Sequence, residues 1–444
     1  MTDSAVEIFE FAGFSLLASE RLLLRRGDAV PLTSKAFDLL VALVRRHGRL
    51  ATKDELMREV WPGIFVDEVN LSVNISALRK VLACSGDHLI QTVPKAGYRF
   101  VAAVTVRLVV GQEYVVDQPD RAKPAGGSDA YRAYLEGRYH WNQRSEEGLT
   151  RAIESFQRTV LLDPDFALAY SGLADCYATL GYLSHLPPGQ AFPAARGYAE
   201  MALERNPALA EPHASLAYVR FYFDWHWGEA EKASCRAIKR DPNWAAARQW
   251  YSIYLLAAGR PAKALREIMA AHDREPMSLP INTDLGFHYY YTGQYEEAVR
   301  QLQFVLAMNE DFAPAQLWLG RANQELGRYD AALAAFCQVE ERIPNWPVAI
   351  AARGFVEGVF GQTAAAEATL AQLERLARRI FVTPYGLALV QAGLGRCEAA
   401  LAWLDKAFAQ RSHWLVWLRL DPRWKILRSD ERFADLVSRM RFPV

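Results

Sequence analysis

Asp67–Phe100 reads DEVNLSVNISALRKVLACSGDHLIQTVPKAGYRF, and its two halves follow different periods. Leu71, Ile75, Leu78 and Leu82 fall at i, i+4, i+7 and i+11, which makes one apolar stripe on an α-helix. At about 100° per residue the opposite face carries Val69, Ser72, Val73, Ser76, Ala77 and Lys80. Asn70, Asn74 and Arg79 lie on the flanks. A helix buried all round would not gather so many small and polar residues on one side. A helix in a DNA major groove would, because short side chains allow close approach and amides, hydroxyls and methyls read base edges. Further on, Leu89–Val93 and Tyr98–Val101 alternate like strands, with Pro94-Lys95-Ala96-Gly97 as the turn between them. The stretch predicts a recognition helix followed by a β-hairpin wing. The plainer alternative is a helix–hairpin unit that only packs.

Ile75-Ser76-Ala77-Leu78-Arg79-Lys80, then Ile90-Gln91-Thr92-Val93, then Gly97-Tyr98-Arg99-Phe100 resemble, in that order, the C-terminal half of an OmpR/PhoB-type winged-helix domain. The resemblance runs from about Val6 to Val104, and the domain is placed at residues 5–104. It implies contact with double-stranded DNA through Val69, Asn70, Ser72, Val73, Asn74, Ser76, Ala77, Arg79, Lys80, Thr92, Lys95 and Arg99. Val73 and Val69 suit a thymine methyl, Arg79 and Lys80 suit phosphate, and Lys95 at the wing tip suits the minor groove. In this family the loop corresponding to Gly63–Glu68 is the segment implied to touch RNA polymerase. The chain departs from better-known members, which often carry arginine where Ser76, Ala77 and Pro94 stand. Fewer cations predict weak binding per domain and a shallow salt slope, so self-association on tandem half-sites is expected to compensate.

Upstream, Val6–Phe11, Phe14–Leu17, Leu22–Arg25 and Ala29–Leu32 read as a small antiparallel sheet, with Gly27-Asp28 as a turn. No receiver domain is expected ahead of it, so phosphoryl-aspartate control has no seat. Thr33 caps a helix to about His47, which Gly48 ends. Thr52-Lys53-Asp54-Glu55 is a capping box that opens a second helix to Trp61.

At 444 residues the chain exceeds one typical domain. Its 51% apolar and 23% charged content is that of an ordinary globular protein. The formal net charge is zero, and residues 1–107 hold 14 Lys+Arg against 12 Asp+Glu. The basic excess sharpens locally, with Arg79, Lys80, Lys95 and Arg99 against Asp87 alone over Val69–Arg99. The five cysteines, Cys84, Cys176, Cys235, Cys337 and Cys397, are scattered without metal-ligand spacing, which points to reduced thiols in a cytoplasm. The acidic N-terminus lacks the apolar core of a signal peptide, and no run approaches the length a membrane span needs. ToxR/CadC-like relatives of this architecture carry a membrane helix after the winged helix. Here the corresponding stretch, Leu108-Val109-Val110, breaks at Gly111-Gln112-Glu113, so no membrane contact is expected.

Residues 105–128 read as a linker rich in turn formers, including Pro119, Pro124, Gly126 and Gly127. From Asp129 the text is helical and repeats. Pro164, Pro207, Pro242, Pro276 and Pro344 each close a helix, at intervals that settle to 34 residues or twice that. The first interval stretches to 43 around the insertion Ser184–Gly189. A 34-residue period of paired helices is the tetratricopeptide pattern. Ala230/Ala237, Ala264/Ala271 and Ala298/Val305 recur where paired helices cross. About six clear repeats lie between Ala133 and Trp346, and Leu387–Gly393 with Ala399–Ala407 looks like a further pair. The solenoid is assigned to 129–418 and a capping helix to 419–444, since a solenoid end must cover its last apolar face.

No phosphate-binding glycine loop, HExxH or nucleophile elbow occurs, and Glu296-Glu297 and Glu340-Glu341 read as solvated helix residues. No enzyme, cofactor or metal is expected. The aromatic clusters at Tyr139-His140-Trp141, Trp225-His226-Trp227 and His288-Tyr289-Tyr290-Tyr291 fall near ends of first helices, which line the concave groove of such a solenoid. Tyr139, Trp141, Trp225, Trp227, Tyr289 and Tyr290 are therefore candidates for a groove that binds a ligand or a protein or peptide partner; inter-repeat packing is the plainer use of such residues. The fold class is an α+β winged helix followed by an all-α solenoid. The function expected is sequence-specific transcriptional regulation in a bacterial cytoplasm, with the repeats sensing or assembling. The alternative is an interaction scaffold whose winged helix contacts protein.

Overall fold

The structure is a computed structural model that describes residues 6–18, 22–25, 28–30, 32–60, 68–83, 89–109 and 129–443. The loop residues 63–67, Cys84 and linker residues 110–128 lie outside this description.

Four strands open the chain: β1 (Val6–Phe11), β2 (Phe14–Leu17), β3 (Leu22–Arg25) and β4 (Asp28–Ala29). They form an antiparallel meander, with Ile8 opposite Leu17 and Leu16 opposite Leu23. Helix α1 (Ser34–Arg45) begins where the Thr33 hydroxyl accepts from the Ala36 amide, 3.1 Å away. A short strand β5 (Leu50–Thr52) leads into α2 (Lys53–Val60). The capping box forms as its residues dictate: the Thr52 amide donates to Glu55 Oε2 at 2.8 Å, and the Glu55 amide donates to Thr52 Oγ1 at 3.2 Å. Helix α3 (Glu68–Leu82) is followed by the hairpin β6 (Ile90–Val93) and β7 (Gly97–Phe100), which joins β5 in a sheet of order β5-β7-β6.

The apolar stripe of α3 does what its spacing requires. Leu71, Ile75, Leu78 and Leu82 are all buried, and α3 packs on α1 and α2, whose Phe37, Leu40 and Leu56 are buried as well. Gly97 sits where β7 crosses β5, and a Cβ there would come within 2.1 Å of the Ala51 carbonyl oxygen. With φ at +155° as well, the position accepts glycine alone without rearrangement. After the wing the chain returns to the first sheet. Strand β8 (Thr105–Val109) pairs antiparallel with β1, Glu10 opposite Thr105 and Val6 opposite Val109, which completes the order β4-β3-β2-β1-β8. The sheet therefore runs five residues into the stretch read as linker.

From Asp129 the described chain is a series of eight helix pairs, opening with Asp129–Asn142/Glu146–Leu162 and ending with Pro384–Gly393/Cys397–Ala409. The period is visible in the backbone. Gly259, Gly293, Gly327, Gly361 and Gly395 recur every 34 residues, each between the two helices of a pair and each at φ between +72° and +81°. Within a pair, a small residue of the first helix receives a large one from the second: a Cβ on Gly320 would lie 2.4 Å from the Phe336 ring, and one on Gly286 2.7 Å from Leu302.

The last segment is not a single capping helix. It makes two short 3-10 turns, His413–Trp417 and Pro422–Leu427, and then the helix Glu431–Arg439. It runs back across first helices of several earlier pairs. Trp414 stacks on Tyr182, Trp417 stacks on Tyr291 at 4.6 Å, and the Trp227 indole donates to the Met440 carbonyl at 2.9 Å. Trp417 and Trp424 are fully buried. An apolar run at this end gains more by covering exposed first-helix faces along the stack than by covering the final pair alone.

Candidate nucleic-acid interface

Helix α3 presents one row to solvent. Ser72, Ser76 and Lys80, spaced by four, are exposed, and Val73 beside them is half-buried. Asn74 and Ala77 do not join this row. Both are buried, at 0% and 3% exposure, so neither reaches a base edge from this position. The small Ala77 lets α3 approach its neighbours, and Asn74 points into the domain. The side chains of Val69 and Asn70 lie outside the described residues.

Arg79 is engaged by the wing. Its Nε and NH2 donate to the Ile90 carbonyl at 3.0 and 2.9 Å, and NH2 donates to Thr92 Oγ1 at 2.6 Å. The guanidinium therefore pins β6 to α3 rather than standing ready for phosphate, and Thr92 is its partner. A side chain at i+4 from Ile75 on the flank of the stripe is placed to reach across to a neighbouring strand, and a charged donor there replaces water for the Ile90 carbonyl. Tyr98, which the sequence reading passed over, lies in the same joint, its hydroxyl 3.5 Å from Ser72 Oγ. The period-2 alternation of Tyr98 with Phe100 already marked it as inward-facing.

The wing tip is open. Pro94 and Lys95 are exposed, Lys95 at φ +62°, and Gln91 and Thr92 are exposed on the strand before them. Arg99 is half-buried on β7, opposite both Leu50 and Gln91. The site thus gathers Ser72, Val73, Ser76 and Lys80 on the helix and Gln91 and Lys95 on the hairpin, around a joint made by Arg79, Thr92 and Tyr98.

The aromatic candidates of the repeats divide differently. Tyr139 is 42% exposed, and Tyr289 and Trp225 are half-buried. Trp141, Trp227 and Tyr290 are buried at 2%, 6% and 1%, which corrects their assignment to an open groove. Trp141 donates to Thr179 Oγ1 at 3.1 Å under the Arg144 guanidinium, Tyr290 packs on Trp318 at 5.3 Å, and Trp227 meets the C-terminal segment. Ring edges and faces at this density are inter-repeat and tail packing. Among the described residues no group of histidines, cysteines and carboxylates could hold a metal ion, and no helix is long and apolar enough to cross a membrane.

Comparison with known proteins places both halves. Residues 27–100 match the family described as transcriptional regulatory protein, C terminal, and residues 283–347 match the tetratricopeptide repeat. The chain is 30% identical over 95 residues to the transcriptional regulatory protein YvcP of Bacillus subtilis, covering 21% of this chain and 40% of that one. It is 31% identical over 114 residues to the transcriptional activator CadC of Escherichia coli, covering 24% of this chain and 22% of that one. The match thus spans less than half the length of either relative. Among solved structures, a monomeric IFIT1 mutant with m7Gppp-AAAA covers 72% of this chain and 73% of its own at 14% identity and a TM-score of 0.50, a likeness of fold alone. The chain carries an N-terminal transcriptional-regulator domain of the OmpR/PhoB type, followed by tetratricopeptide repeats.

Proposed function

We propose that this protein is a sequence-specific transcriptional regulator, that α3 enters the major groove of double-stranded DNA, and that the wing contacts the adjacent minor groove. The observation that carries the reading is the exposed row Ser72-Ser76-Lys80 with Val73 at its side, framed by Lys95 at the wing tip. Serine hydroxyls bond base edges or phosphates, the Val73 methyls suit thymine, and Lys80 and Lys95 neutralise phosphate. Two exposed lysines make a small electrostatic footprint, so one domain binds weakly and self-association on tandem half-sites raises the affinity. The repeats then serve to assemble the protein or bind a protein partner, and the loop around residues 63–68 contacts RNA polymerase. Such a regulator works in the cytoplasm.

Binding of the full chain to duplex DNA from its own upstream region, followed by fluorescence anisotropy against a scrambled duplex between 50 and 200 mM salt, tests this. The reading expects tighter binding to the native sequence and a log–log salt slope of only a few units. Equal, negligible binding to both duplexes would leave the winged helix as a protein-contact module.

A further inference from the structure

Arg321 lies on the first helix of the sixth pair, Ala313–Glu325, and is only 2% exposed. Its guanidinium sits between two indoles, 4.3 Å from the Trp318 ring centre and 5.0 Å from that of Trp414. The ring contacts are made by the guanidinium carbon, and on its N–H edge Nε and NH1 have no hydrogen-bond partner among the described residues. Among the described residues no carboxylate forms an ion pair with it. The nearby Asp421 is committed elsewhere: it accepts from Arg423 Nε at 2.9 Å and NH2 at 2.6 Å, and from the Tyr385 hydroxyl at 2.9 Å. Burial and the Arg423 charge hold the Arg321 pKa below its ordinary value, against the weaker opposing pull of Tyr291, Tyr290 and Asp421.

The neighbours share the same deficit. Tyr290 and Tyr291 pack on the same Trp318 ring at 5.3 and 5.7 Å, and among the described residues their hydroxyls, Arg423 NH1 and the Trp417 indole N–H have no hydrogen-bond partner. Against these donors stands one unpartnered acceptor on the same helix, Gln324 Oε1. Glu325, whose carboxyl burial pushes up to about 7, is engaged by the Gln324 amide. Buried donors in surplus around a cation that has no ion-pair partner of its own call for a partner that only accepts and that carries negative charge. Water satisfies hydrogen bonds but leaves the charge.

We propose that the edge of Arg321, with Tyr290, Tyr291 and Arg423, is a binding site for a small oxyanion, a carboxylate or phosphate group. The site is built from two sources: Tyr290, Tyr291, Trp318 and Arg321 come from first helices of the repeats, and Trp414, Trp417 and Arg423 come from the C-terminal segment. Occupancy therefore stabilises the docked C-terminal segment. The inference does not depend on DNA binding by the winged helix, and either can fail without the other.

The experiment titrates the full chain with inorganic phosphate or acetate, against chloride at matched ionic strength, and reads thermal unfolding and tryptophan fluorescence. The expected result is a saturable rise in Tm and a saturable fluorescence change with at least one of the two oxyanions; which one responds identifies the group. Arg321→Met should weaken the apparent affinity at least tenfold while melting no lower than the parent in chloride, because it removes a buried charge that has no ion-pair partner. Tyr291→Phe, which keeps the ring packing, should weaken it several-fold and serves if Arg321→Met does not fold. A parent protein that responds to both oxyanions only in the linear, unsaturating way expected of excluded salts overturns the proposal. So does an Arg321→Met protein that keeps the saturable response.

Discussion

Lys80 and Arg79 are neighbours in sequence with opposite orientations, and substitution should separate them. Lys80 projects from the exposed row of α3, so Lys80→Ala is expected to weaken binding to all duplexes alike and to lower the salt slope by about one. An unchanged slope would remove Lys80 from the phosphate contacts. Arg79 bonds the Ile90 carbonyl and Thr92, so Arg79→Met should cost about 1–2 kcal/mol of domain stability, read by denaturant unfolding, before any effect on DNA. Asp284 offers a pH test inside the repeats. Burial raises its carboxyl to about 7, against the opposing pull of the Gln249 amide and of Arg144. In the unfolded chain it titrates near an ordinary aspartate value of about 3.9. Between these values the native state holds a proton that the unfolded state has lost, so this contribution to stability is full below about pH 4 and is lost as pH rises through about 7. Asp284→Asn should therefore gain about 3 kcal/mol more on the parent at pH 8 than at pH 4.5, in urea unfolding at the two pH values. Glu325, also raised to about 7, leaves a residual pH dependence in the variant.

At the scale of elements, local rules explain much. The Thr52–Glu55 box opens α2, Thr33 opens α1, and the leucine–isoleucine stripe buries α3. Two strands escape such rules. Leu50–Thr52 is three residues long, and it is a strand only because β7 lies beside it. Thr105–Val109 has strand-like alternation but no turn signal joining it to its partner, since β1 is almost a hundred residues away in sequence. This pairing sets where a self-standing fragment should end. A fragment of residues 1–104 leaves the β1 edge uncovered, whereas one of residues 1–112 keeps β8. The longer fragment should melt several degrees higher; equal melting temperatures would mean that β8 adds nothing to the sheet.

Over the whole molecule, the decisive feature of the repeat region is that the chain fills its own first-helix faces. Trp417 stacks on Tyr291 and meets Phe287 edge-on at 4.9 Å, with no exposed area. Trp417→Ala should cost about 3–5 kcal/mol and increase the binding of an apolar dye, although no conventional repeat position is touched. If the variant unfolds at the parent's denaturant midpoint, the C-terminal segment is a loose appendage and not part of the repeat core. The same docking explains why Trp227 is buried although it looked suited to a peptide: its occupant is the protein's own last segment.

The winged helix and the repeats were legible in the sequence because both rest on short-range periodicity. An apolar stripe at 3.6 residues, alternation at two and a 34-residue spacing are properties of neighbouring positions, and burying each apolar face leaves few arrangements. The exposed row Ser72-Ser76-Lys80 followed from the same geometry. The positions of Asn74, Ala77 and Arg79 did not, because a flank residue faces inward or outward according to what packs beside it, and for Arg79 that neighbour is the Ile90 carbonyl. The return of residues 413–442 over earlier repeats was equally hidden. His413–Trp417 announces an apolar segment, but its partners at Tyr182, Tyr291 and Arg321 lie between about 90 and 230 residues away. No local period encodes such contacts. They are decided by which apolar face the folded repeats leave uncovered, and that face exists only once the tertiary structure has formed.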